Sequence, residues 1–314
     1  MWGQMPAAGS FSLMNVRIRS VCLALGACVV LRALSNSFRS GGGGSPALIE
    51  PYRPGPPVSA LAAPGSCVFG ESWSPAPLLH RSQISHDTVV LRFGLGDPSA
   101  PLGLSTCACL LAKIGDDVRP YTPVSTNQML GQFELMVKVY ENGALSSQLG
   151  ALELGGTVDF KHIPFNVKIQ YPFGKARIGM IAGGTGITPM IQALHALLGT
   201  RGDATEVFLL YSSKTYDDIL ARELLDSWAA AHADRLHLTH TLTREPADSA
   251  WSGSRGRVDR GLIATHLPPP TADTLLFVCG PPTMYNDLSG ARGEAELGGV
   301  LAELGYRADQ VVKF

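Results

Sequence analysis

Residues 178–189, Ile-Gly-Met-Ile-Ala-Gly-Gly-Thr-Gly-Ile-Thr-Pro, decide the fold of the carboxyl-terminal half of this chain. Residues 178–182 are an apolar run of the kind that forms a buried strand, and a helical apolar period runs from Met190 to Leu198. Between them, the turn Gly183–Pro189 holds three glycines and ends on a proline suited to the first turn of a helix. This order presents backbone amides to a pyrophosphate. Because the turn lacks the GxGxxG spacing, the sequence does not predict an ordinary Rossmann site.

Strand and helix patterns alternate after this stretch. The predicted elements are strand Val207–Tyr211, helix Ile219–Ala231, strand Leu236–Leu242 and strand Thr274–Val278. Such alternation predicts a doubly wound parallel sheet in residues 175–314, with ligands at the carboxyl ends of its strands. Three turns follow these ends and are expected to share one edge of the sheet: Gly183–Pro189, Thr243–Pro246 and Cys279–Pro282.

Cys279 directly follows the last predicted strand, in a turn that Pro281 and Pro282 stiffen. A thiol held there is able to lie beside a nicotinamide ring without reacting. The alternative is that position 279 simply requires a small side chain.

Residues 66–174 show a different pattern, in which short strands alternate with turn residues. The predicted strands are Thr88–Phe93, Phe133–Tyr140, Thr157–Phe160 and Asn166–Ile169. Several short strands in about 110 residues predict a small antiparallel barrel. Within Phe133–Tyr140, the alternation turns Lys138 and Tyr140 away from the barrel core toward one outer face.

The segment Arg119-Pro-Tyr-Thr-Pro-Val124 lies between these predicted strands. Its composition suits a flavin nucleotide, with a guanidinium for the pyrophosphate, an aromatic ring to stack and a hydroxyl to bond the isoalloxazine. The alternative is that Tyr121 only packs in a proline-rich turn. Further along, a helical pattern at Leu145–Leu149 follows Gly143, and its amides with the Ser146 hydroxyl would form a diphosphate site. The alternative there is an ordinary helix capped by serine.

Composition excludes one class of function. Hydrophobic residues make up 45% of the 314 residues, charged residues 16%, and the formal net charge is -1. A basic nucleic-acid surface is therefore not indicated. Cys107-Ala-Cys109 has neither CxxC nor zinc-knuckle spacing, and no histidine pair has metal-ligand spacing, so no metal site is predicted. Apart from Cys279, the six cysteines are expected to be reduced and mostly buried.

The first 49 residues contain arginines but no acidic residue, and a short apolar run, Val21–Leu31, follows Arg17 and Arg19. This composition predicts a mitochondrial targeting segment, with or without membrane anchoring, and the run is short for a spanning helix. The alternative is a secretory signal, which would place the chain at the endoplasmic reticulum membrane. Residues 41–65 are rich in glycine and proline and are predicted to be a linker, so residues 1–65 form a leader and linker.

Arg119-Pro-Tyr-Thr, Gly183-Gly-Thr-Gly-Ile-Thr-Pro and Cys279-Gly-Pro-Pro occur in this order. With them the chain resembles the NADH–cytochrome b5 reductase family, from about Ser85 to Phe314. The segments at His162-Ile-Pro-Phe and Leu304-Gly-Tyr are most similar to its plant and algal mitochondrial branch. The resemblance implies an FAD-binding barrel followed by a nicotinamide-binding α/β domain.

The resemblance also implies the roles of individual residues. Arg119, Tyr121 and Thr122 would hold FAD, and Thr185 and Cys279 would border the nicotinamide, so that Thr122, Thr185 and Cys279 are the candidates nearest the chemistry. Ala144 stands where many relatives have lysine, which places one charge contact in doubt. The remaining candidate cofactor-binding residues are Pro120, Met136, Lys138, Tyr140, Gly143, Leu145, Ser146, Gly183, Gly184, Gly186, Thr188, Pro189, Thr243, Arg244, Arg257, Gly280, Pro281, Pro282 and Phe314.

One departure from the resemblance bears on cofactor choice. Relatives that prefer NADH carry an acidic residue after the strand that ends here at Leu242, where this chain has Thr243 and Arg244, and Arg257 replaces a frequent aromatic residue. An acid at this place accepts from the ribose 2′-OH and repels a 2′-phosphate. We therefore expect NADPH use comparable to or better than NADH use. Neutral drift of the surface is the alternative.

The resemblance implies hydride transfer from NADH or NADPH to FAD, then single electrons to cytochrome b5 or a similar haem protein. The chain is expected to be a monomer. One alternative is a related reductase that serves a ferredoxin or a quinone. Another is a scaffold without FAD that only binds a partner.

Overall fold

The computed structural model describes residues 49–314. The targeting segment, the first eight residues of the predicted linker, and the two cysteines Cys22 and Cys28 lie outside the described residues. Within residues 49–314, no helix combines the length and the apolar character needed to cross a bilayer.

An antiparallel sheet of six strands forms the first half and confirms the predicted barrel-like fold. The strand order is β4-β3-β6-β1-β2-β5. One helix, α1 (Ala144–Ala151), packs on this sheet, whose strands are β1 (Ser74–Ser85), β2 (Thr88–Gly94), β3 (Leu110–Ile114), β4 (Asp117–Tyr121), β5 (Gln132–Lys138) and β6 (Thr157–Lys161).

Four phenylalanines fill the centre of this first core. Phe69, Phe93, Phe133 and Phe160 are buried, with ring centroids 5.0–5.7 Å apart. Offset and edge-to-face pairs at such distances add to the free energy that burial of the rings already contributes. Phe93, Phe133 and Phe160 lie on β2, β5 and β6, so this core joins three of the six strands.

Two predictions for this half are wrong. Asn166–Ile169 is not a strand, because Pro164–Asn166 forms a 3₁₀ turn that the bond from Val167 N to Pro164 O closes. The Asn166 amide also donates to Cys109 O at 3.2 Å, which holds the turn against the sheet. The strand predicted to reach Tyr140 ends at Lys138.

A parallel sheet of six strands forms the second half and confirms the predicted doubly wound fold. The strand order is β10-β9-β8-β7-β11-β12. Its strands are β7 (Arg177–Gly183), β8 (Glu206–Ser213), β9 (Leu236–Leu242), β10 (Ser254–Arg255), β11 (Thr274–Cys279) and β12 (Val311–Lys313). Its helices are α2 (Ile187–Gly199), α3 (Arg222–Ala231), α4 (Arg260–His266), α5 (Pro282–Leu288) and α6 (Gly299–Glu303).

Both faces of the parallel sheet are covered, as its apolar strands require. Met180 on β7 belongs to the core beneath α2 and α3, and its neighbour Ile181 belongs to the core on the opposite face. The helix predicted from Ile219 begins only at Arg222. Ala221 precedes it in the left-handed conformation at φ 55°, which separates α3 from the short turn Tyr216–Asp218.

Residues 49–65 form an extended segment, which we call the strap. The strap contains no helix or strand apart from one isolated β-bridge at Ile49. It nevertheless forms hydrogen bonds with both halves of the fold. Against the first half, Asn127 donates to Ala60 O at 3.0 Å. Against the second, Trp228 donates to Gly55 O at 2.9 Å, and Val58 N donates to His195 Nδ1 at 3.0 Å.

Direct contacts also join the two halves. Gln192 on α2 donates from its amide nitrogen to Pro123 O and Ser125 O, each at 2.7 Å. Met136, on the outer side of β5, packs into the core of the parallel-sheet half. These contacts place the end of β4 opposite the carboxyl ends of β7 and β11.

Candidate active site

A cavity of about 1070 Å³ lies between the antiparallel sheet and the carboxyl edge of the parallel sheet. The three turns expected to share that edge do share it, since residues of all three line the cavity. The candidate site residues that line it are Pro120, Tyr121, Thr122, Met136, Lys138, Tyr140, Ser146, Gly183, Gly184, Thr185, Gly186, Thr188, Pro189, Thr243, Arg244, Arg257, Cys279, Gly280, Pro281, Pro282 and Phe314. Arg119, Gly143, Ala144 and Leu145 do not line it.

The barrel wall of the cavity begins where β4 ends. Arg119 and Pro120 lie on this edge strand, which tolerates proline because one of its sides has no neighbour. Burial raises the pKa of Tyr121 to about 12, and the nearby charge of Arg119 opposes that rise. The Arg119 guanidinium is exposed and donates to Val118 O at 2.7 Å. A cation thus stands at the rim, beside an aromatic ring that faces the cavity.

The amino end of α1 lies next to this wall. Gly143 is its first flanking residue, and no side chain caps the helix. The structure therefore does not show a serine-capped helix, because Ser146 lies in the first turn and accepts from Tyr140 N at 3.3 Å. A Cβ at Gly143 would lie 2.1 Å from Ser146 Oγ, so a larger residue there would displace the Ser146 hydroxyl. Uncapped amides at a helix amino terminus favour an anion.

Lys138 leaves the barrel core as predicted, but it is only 9% exposed because the second half covers it. Its ammonium lies 2.6 Å from Asp87 Oδ2 and 3.3 Å from Asp218 Oδ1. Burial alone would raise the pKa of Asp87 and Asp218, yet the Lys138 ammonium and neighbouring hydroxyls lower both. His86 lies beside the two carboxylates, and the three residues have metal-ligand character. The Lys138 ammonium already contacts both carboxylates, so these side chains form one ion cluster that joins the two halves.

The glycine-rich turn packs directly against the last turn of the site. A Cβ at Gly186 would lie 2.1 Å from Cys279 O, so only glycine allows this approach. Gly184 has φ +53° and accepts from the Tyr211 hydroxyl at 3.0 Å. The turn itself is a 3₁₀ helix, Gly184–Gly186, which leads straight into α2.

Cys279 ends β11 at the floor of the cavity. Burial raises the pKa of its thiol to about 11, against a smaller opposing effect of a hydrogen bond with Tyr285. The thiol is therefore protonated at neutral pH, and a protonated thiol is a poor nucleophile. Tyr285 also donates to Phe314 O, while Phe314 N donates to Val278 O at 3.0 Å. Phe314 is thereby fixed beside Cys279.

Sequence reasoning missed several residues of the cavity wall, among them Cys107, Phe165, Lys168, Lys214 and Arg292. The rule that ligands gather at strand ends would have found Lys214, which directly follows β8. Cys107 carries no such signal. It is buried, has φ 63°, and donates from Sγ to Pro189 O at 3.3 Å across the two halves.

The residues present fit two nucleotides. The cavity is at the upper end of the size usual for small-molecule sites. Its barrel side offers a rim cation, an aromatic wall and free helix amides, which suit a flavin nucleotide with its diphosphate. Its other side offers the glycine-rich turn and the floor at Cys279, which suit a nicotinamide nucleotide.

Comparison with known proteins agrees with this division. Residues 75–164 match the oxidoreductase FAD-binding domain, and residues 180–289 match the oxidoreductase NAD-binding domain. The chain therefore has one domain of each kind.

Curated relatives match most of this chain and most of their own length. NADH-cytochrome b5 reductase 2 of Scheffersomyces stipitis is 38% identical over 78% of this chain and 84% of its own length. The NADH-cytochrome b5 reductase-like protein of Arabidopsis thaliana is 37% identical over 80% of this chain and 79% of its own.

A solved structure shares the arrangement. The cytochrome b5 reductase domain of Ulva prolifera nitrate reductase has a TM-score of 0.69 and 31% identity, over 83% of this chain and 100% of that domain. Identity of 37–38% over about four fifths of both chains, together with the shared fold, leads to one conclusion: the chain belongs to the NADH–cytochrome b5 reductase family.

Proposed function

We propose that this chain is an FAD-dependent reductase that takes hydride from NADH or NADPH and delivers single electrons to cytochrome b5 or a similar haem protein. The observation that carries the proposal is that Tyr121 and Thr122 wall one side of a cavity and the turns at Gly183 and Cys279 wall the other side of the same cavity. Family membership supports the same reaction, since the relatives are named for it.

In this proposal the residues bind and orient the two nucleotides. Arg119 at the rim and the amino end of α1 would hold the flavin diphosphate, Tyr121 would stack on the ring system, and the Thr122 hydroxyl would bond it. When bound, FAD would accept a hydride from a nicotinamide and release the two electrons one at a time, as a haem acceptor requires. Thr185 and the protonated Cys279 thiol line the nicotinamide side. No side chain acts as a general base, so the protein contributes alignment and exclusion of water.

Anaerobic stopped-flow spectroscopy of the full chain tests the reaction. We expect a purified protein with bound oxidised flavin, bleaching of that flavin by NADH or NADPH, and subsequent reduction of added cytochrome b5. A protein without flavin, even after incubation with FAD, would indicate a binding scaffold instead. Flavin that is bleached but then passes electrons only to a ferredoxin or a quinone would contradict the haem acceptor.

We also propose that the arginine-bearing, acid-free residues 1–49 direct the protein to mitochondria, with or without a membrane anchor, and that the protein is a monomer. A fluorescent fusion to residues 1–65 is expected to accumulate in mitochondria and to lose that location when Arg17 and Arg19 become glutamate. Accumulation in the endoplasmic reticulum would favour the secretory alternative. Light scattering of the purified chain tests the monomer.

A further inference from the structure

Three basic side chains gather where β8, β9 and β10 end. Parallel pairing sets Ser213 opposite Leu242, and Arg255 opposite Leu242 on the other side. Lys214 and Thr243 are therefore the next residues of adjacent strands, and Arg257 follows two residues after Arg255. Backbone bonds fix this arrangement, since Arg244 N donates to Lys214 O at 2.7 Å and Gly256 N donates to Leu242 O at 2.8 Å.

Lys214, Arg244 and Arg257 line the cavity, and their charges are largely unengaged. Among residues 49–314, the side chains of Lys214 and Arg244 have no ion pair or hydrogen-bond acceptor. Arg257 has one partner, Asp287, at 3.7 Å, and both side chains are more than half exposed. Arg255 differs, because its guanidinium donates to four groups of its own loop, including Glu245 O at 3.0 Å and Pro246 O at 2.9 Å.

Apart from Asp287, the acidic side chains nearest this cluster have partners outside it. Glu245 accepts from Tyr216 N at 2.7 Å, and Asp218 pairs with Lys138. At the strand end itself stands Thr243, whose hydroxyl donates to Ser213 O at 3.2 Å. In doubly wound nucleotide-binding sheets, a carboxylate near this edge holds the 2′-OH of an adenosine ribose, whereas arginine accommodates a 2′-phosphate. The site presents cations and a hydroxyl in place of that carboxylate.

We infer that Lys214, Arg244 and Arg257 form a site for the 2′-phosphate of NADPH, so that this enzyme accepts NADPH at least as well as NADH. The inference rests on the proposed function, because it names the hydride donor of that reaction. Lys214 is the residue that the structure adds to the pair Arg244 and Arg257. A phosphate with charge near −2 gains charge-assisted hydrogen bonds from such a cluster, whereas NADH carries a neutral 2′-hydroxyl at the same position.

Two measurements on the FAD-loaded full chain test the inference. Calorimetry is expected to show 2′,5′-ADP binding at least tenfold more tightly than 5′-AMP. Flavin reduction is expected to give a kcat/KM ratio, NADPH over NADH, of one or more. Thr243→Asp should lower that ratio at least 100-fold. Lys214→Ala or Arg257→Ala should lower it at least tenfold and remove the advantage of 2′,5′-ADP.

Arg260→Ala is the matched control, because Arg260 is exposed, pairs with Glu303 on the surface at 3.1 Å, and lies three residues beyond Arg257. It should leave the ratio unchanged. A kcat/KM ratio, NADPH over NADH, below one, or equal binding of 2′,5′-ADP and 5′-AMP, would overturn the inference while leaving the reductase function intact. Failure of both nucleotides to reduce the flavin would instead overturn the proposed function.

Discussion

Gly186 lies at the closest approach of two cavity turns. Since a Cβ at this position would meet the backbone oxygen of Cys279 at 2.1 Å, the backbone must move in Gly186→Ala. Overpacking of this kind costs about 1–3 kcal/mol, and displacement of the turn should reduce kcat/KM for the nicotinamide nucleotide roughly 10- to 100-fold. Urea unfolding and stopped-flow reduction measure the two effects. Gly261→Ala in α4 is the control, since its Cβ would meet only Asp259 Oδ1 at 3.4 Å; a variant Gly186→Ala that behaves like it contradicts the prediction.

His195 is a buried base that must stay neutral. Its Nδ1 accepts from Val58 N, its Nε2 has no partner among the described residues, and burial lowers its pKa to about 4. Between pH 6.5 and 4 the imidazole is protonated in the unfolded chain but not in the folded one. The contribution of neutral His195 to the free energy of unfolding is therefore fully present above pH 6.5 and is lost as pH drops toward 4. The loss amounts to about 3 kcal/mol from this group.

Chemical denaturation at pH 7.5 and pH 5 tests whether the free energy of unfolding falls on acidification. We expect His195→Gln to be less stable than the parent at pH 7.5 and to lose less stability on acidification. The matched control is His80→Gln, at an exposed position on β1, which should keep the parental slope. Equal slopes for the parent and His195→Gln would show that the residue does not titrate as its burial requires.

At the level of elements, the strap has the clearest consequence. Its carbonyls at Gly55 and Ala60 accept hydrogen bonds, and its amide at Val58 donates one, to side chains of both halves. It also passes so close to Gly199 that a Cβ there would lie 2.4 Å from Ser59 N. Removing residues 1–64 leaves the Trp228 indole N–H and His195 Nδ1 without these partners, whereas the Asn127 amide keeps its bond to Leu104 O. Each lost buried bond costs about 1–3 kcal/mol, so the two together cost about 2–6 kcal/mol. At roughly 2–4 °C per kcal/mol, we expect a melting temperature lower by at least about 4 °C.

Removing only residues 1–47 provides the control for the strap, because it leaves every one of these bonds in place. That shorter deletion should melt within about 2 °C of the full chain, a shift worth less than about 1 kcal/mol. Equal melting temperatures for the two deletions would mean that the strap contributes nothing to stability.

Periodicity explains which elements the sequence predicts well. β7, β8 and β11 are almost wholly buried and read as apolar runs, so the sequence finds each of them to within two residues. β9 is only partly buried and mixes His and Thr with Leu, and the sequence finds its bounds, Leu236–Leu242, as well. β1 is not predicted from the sequence, because Pro75 and Pro77 interrupt its strand pattern. They are tolerated since Ser74–Pro77 pairs with β6 alone and the rest of β1 pairs with β2.

Composition also misjudges two segments whose structure depends on distant partners. The strap reads as linker because glycine and proline dominate it, and nothing local indicates the bonds to Trp228 or His195. The Asn166–Ile169 segment alternates like a strand, but the turn at Pro164 and the bond to Cys109 decide its path.

For the molecule as a whole, the site depends on how two halves meet. Turn chemistry at strand ends predicts the glycine-rich turn, Thr243 and Cys279, because each lies next to its own strand. Contacts between the halves cannot be read in this way. Lys138 is predicted to face outward from the barrel, which is correct for the barrel alone, yet Asp218 of the second half covers it. Cys107 likewise gains its partner, Pro189 O, only when the halves meet.

Lys138→Met tests whether this ion cluster holds the halves together. The change leaves Asp87 and Asp218 facing each other without a cation, and breaking a buried pair costs about 3 kcal/mol or more. Lys138 and its neighbours lower the pKa of both carboxyls. The two carboxylates therefore stabilise the folded state above their unfolded pKa near 3.8, and this stabilisation is lost as pH falls through their lowered pKa values. Without the ammonium, burial raises these pKa values, so the deficit of the variant should be largest near pH 7 and smaller at pH 4.5.

Urea unfolding at both pH values and stopped-flow flavin reduction measure the effect of Lys138→Met on stability and on alignment of the halves. Lys138→Arg keeps the cation and should retain most of both. The double variant Lys138→Met with Asp218→Asn removes the repulsion and should recover at least part of the lost stability, because a neutral amide no longer faces Asp87 as a like charge. Additive losses in the double variant, or a deficit that does not change with pH, would show that Lys138 acts on its own side of the cavity and does not link the two halves.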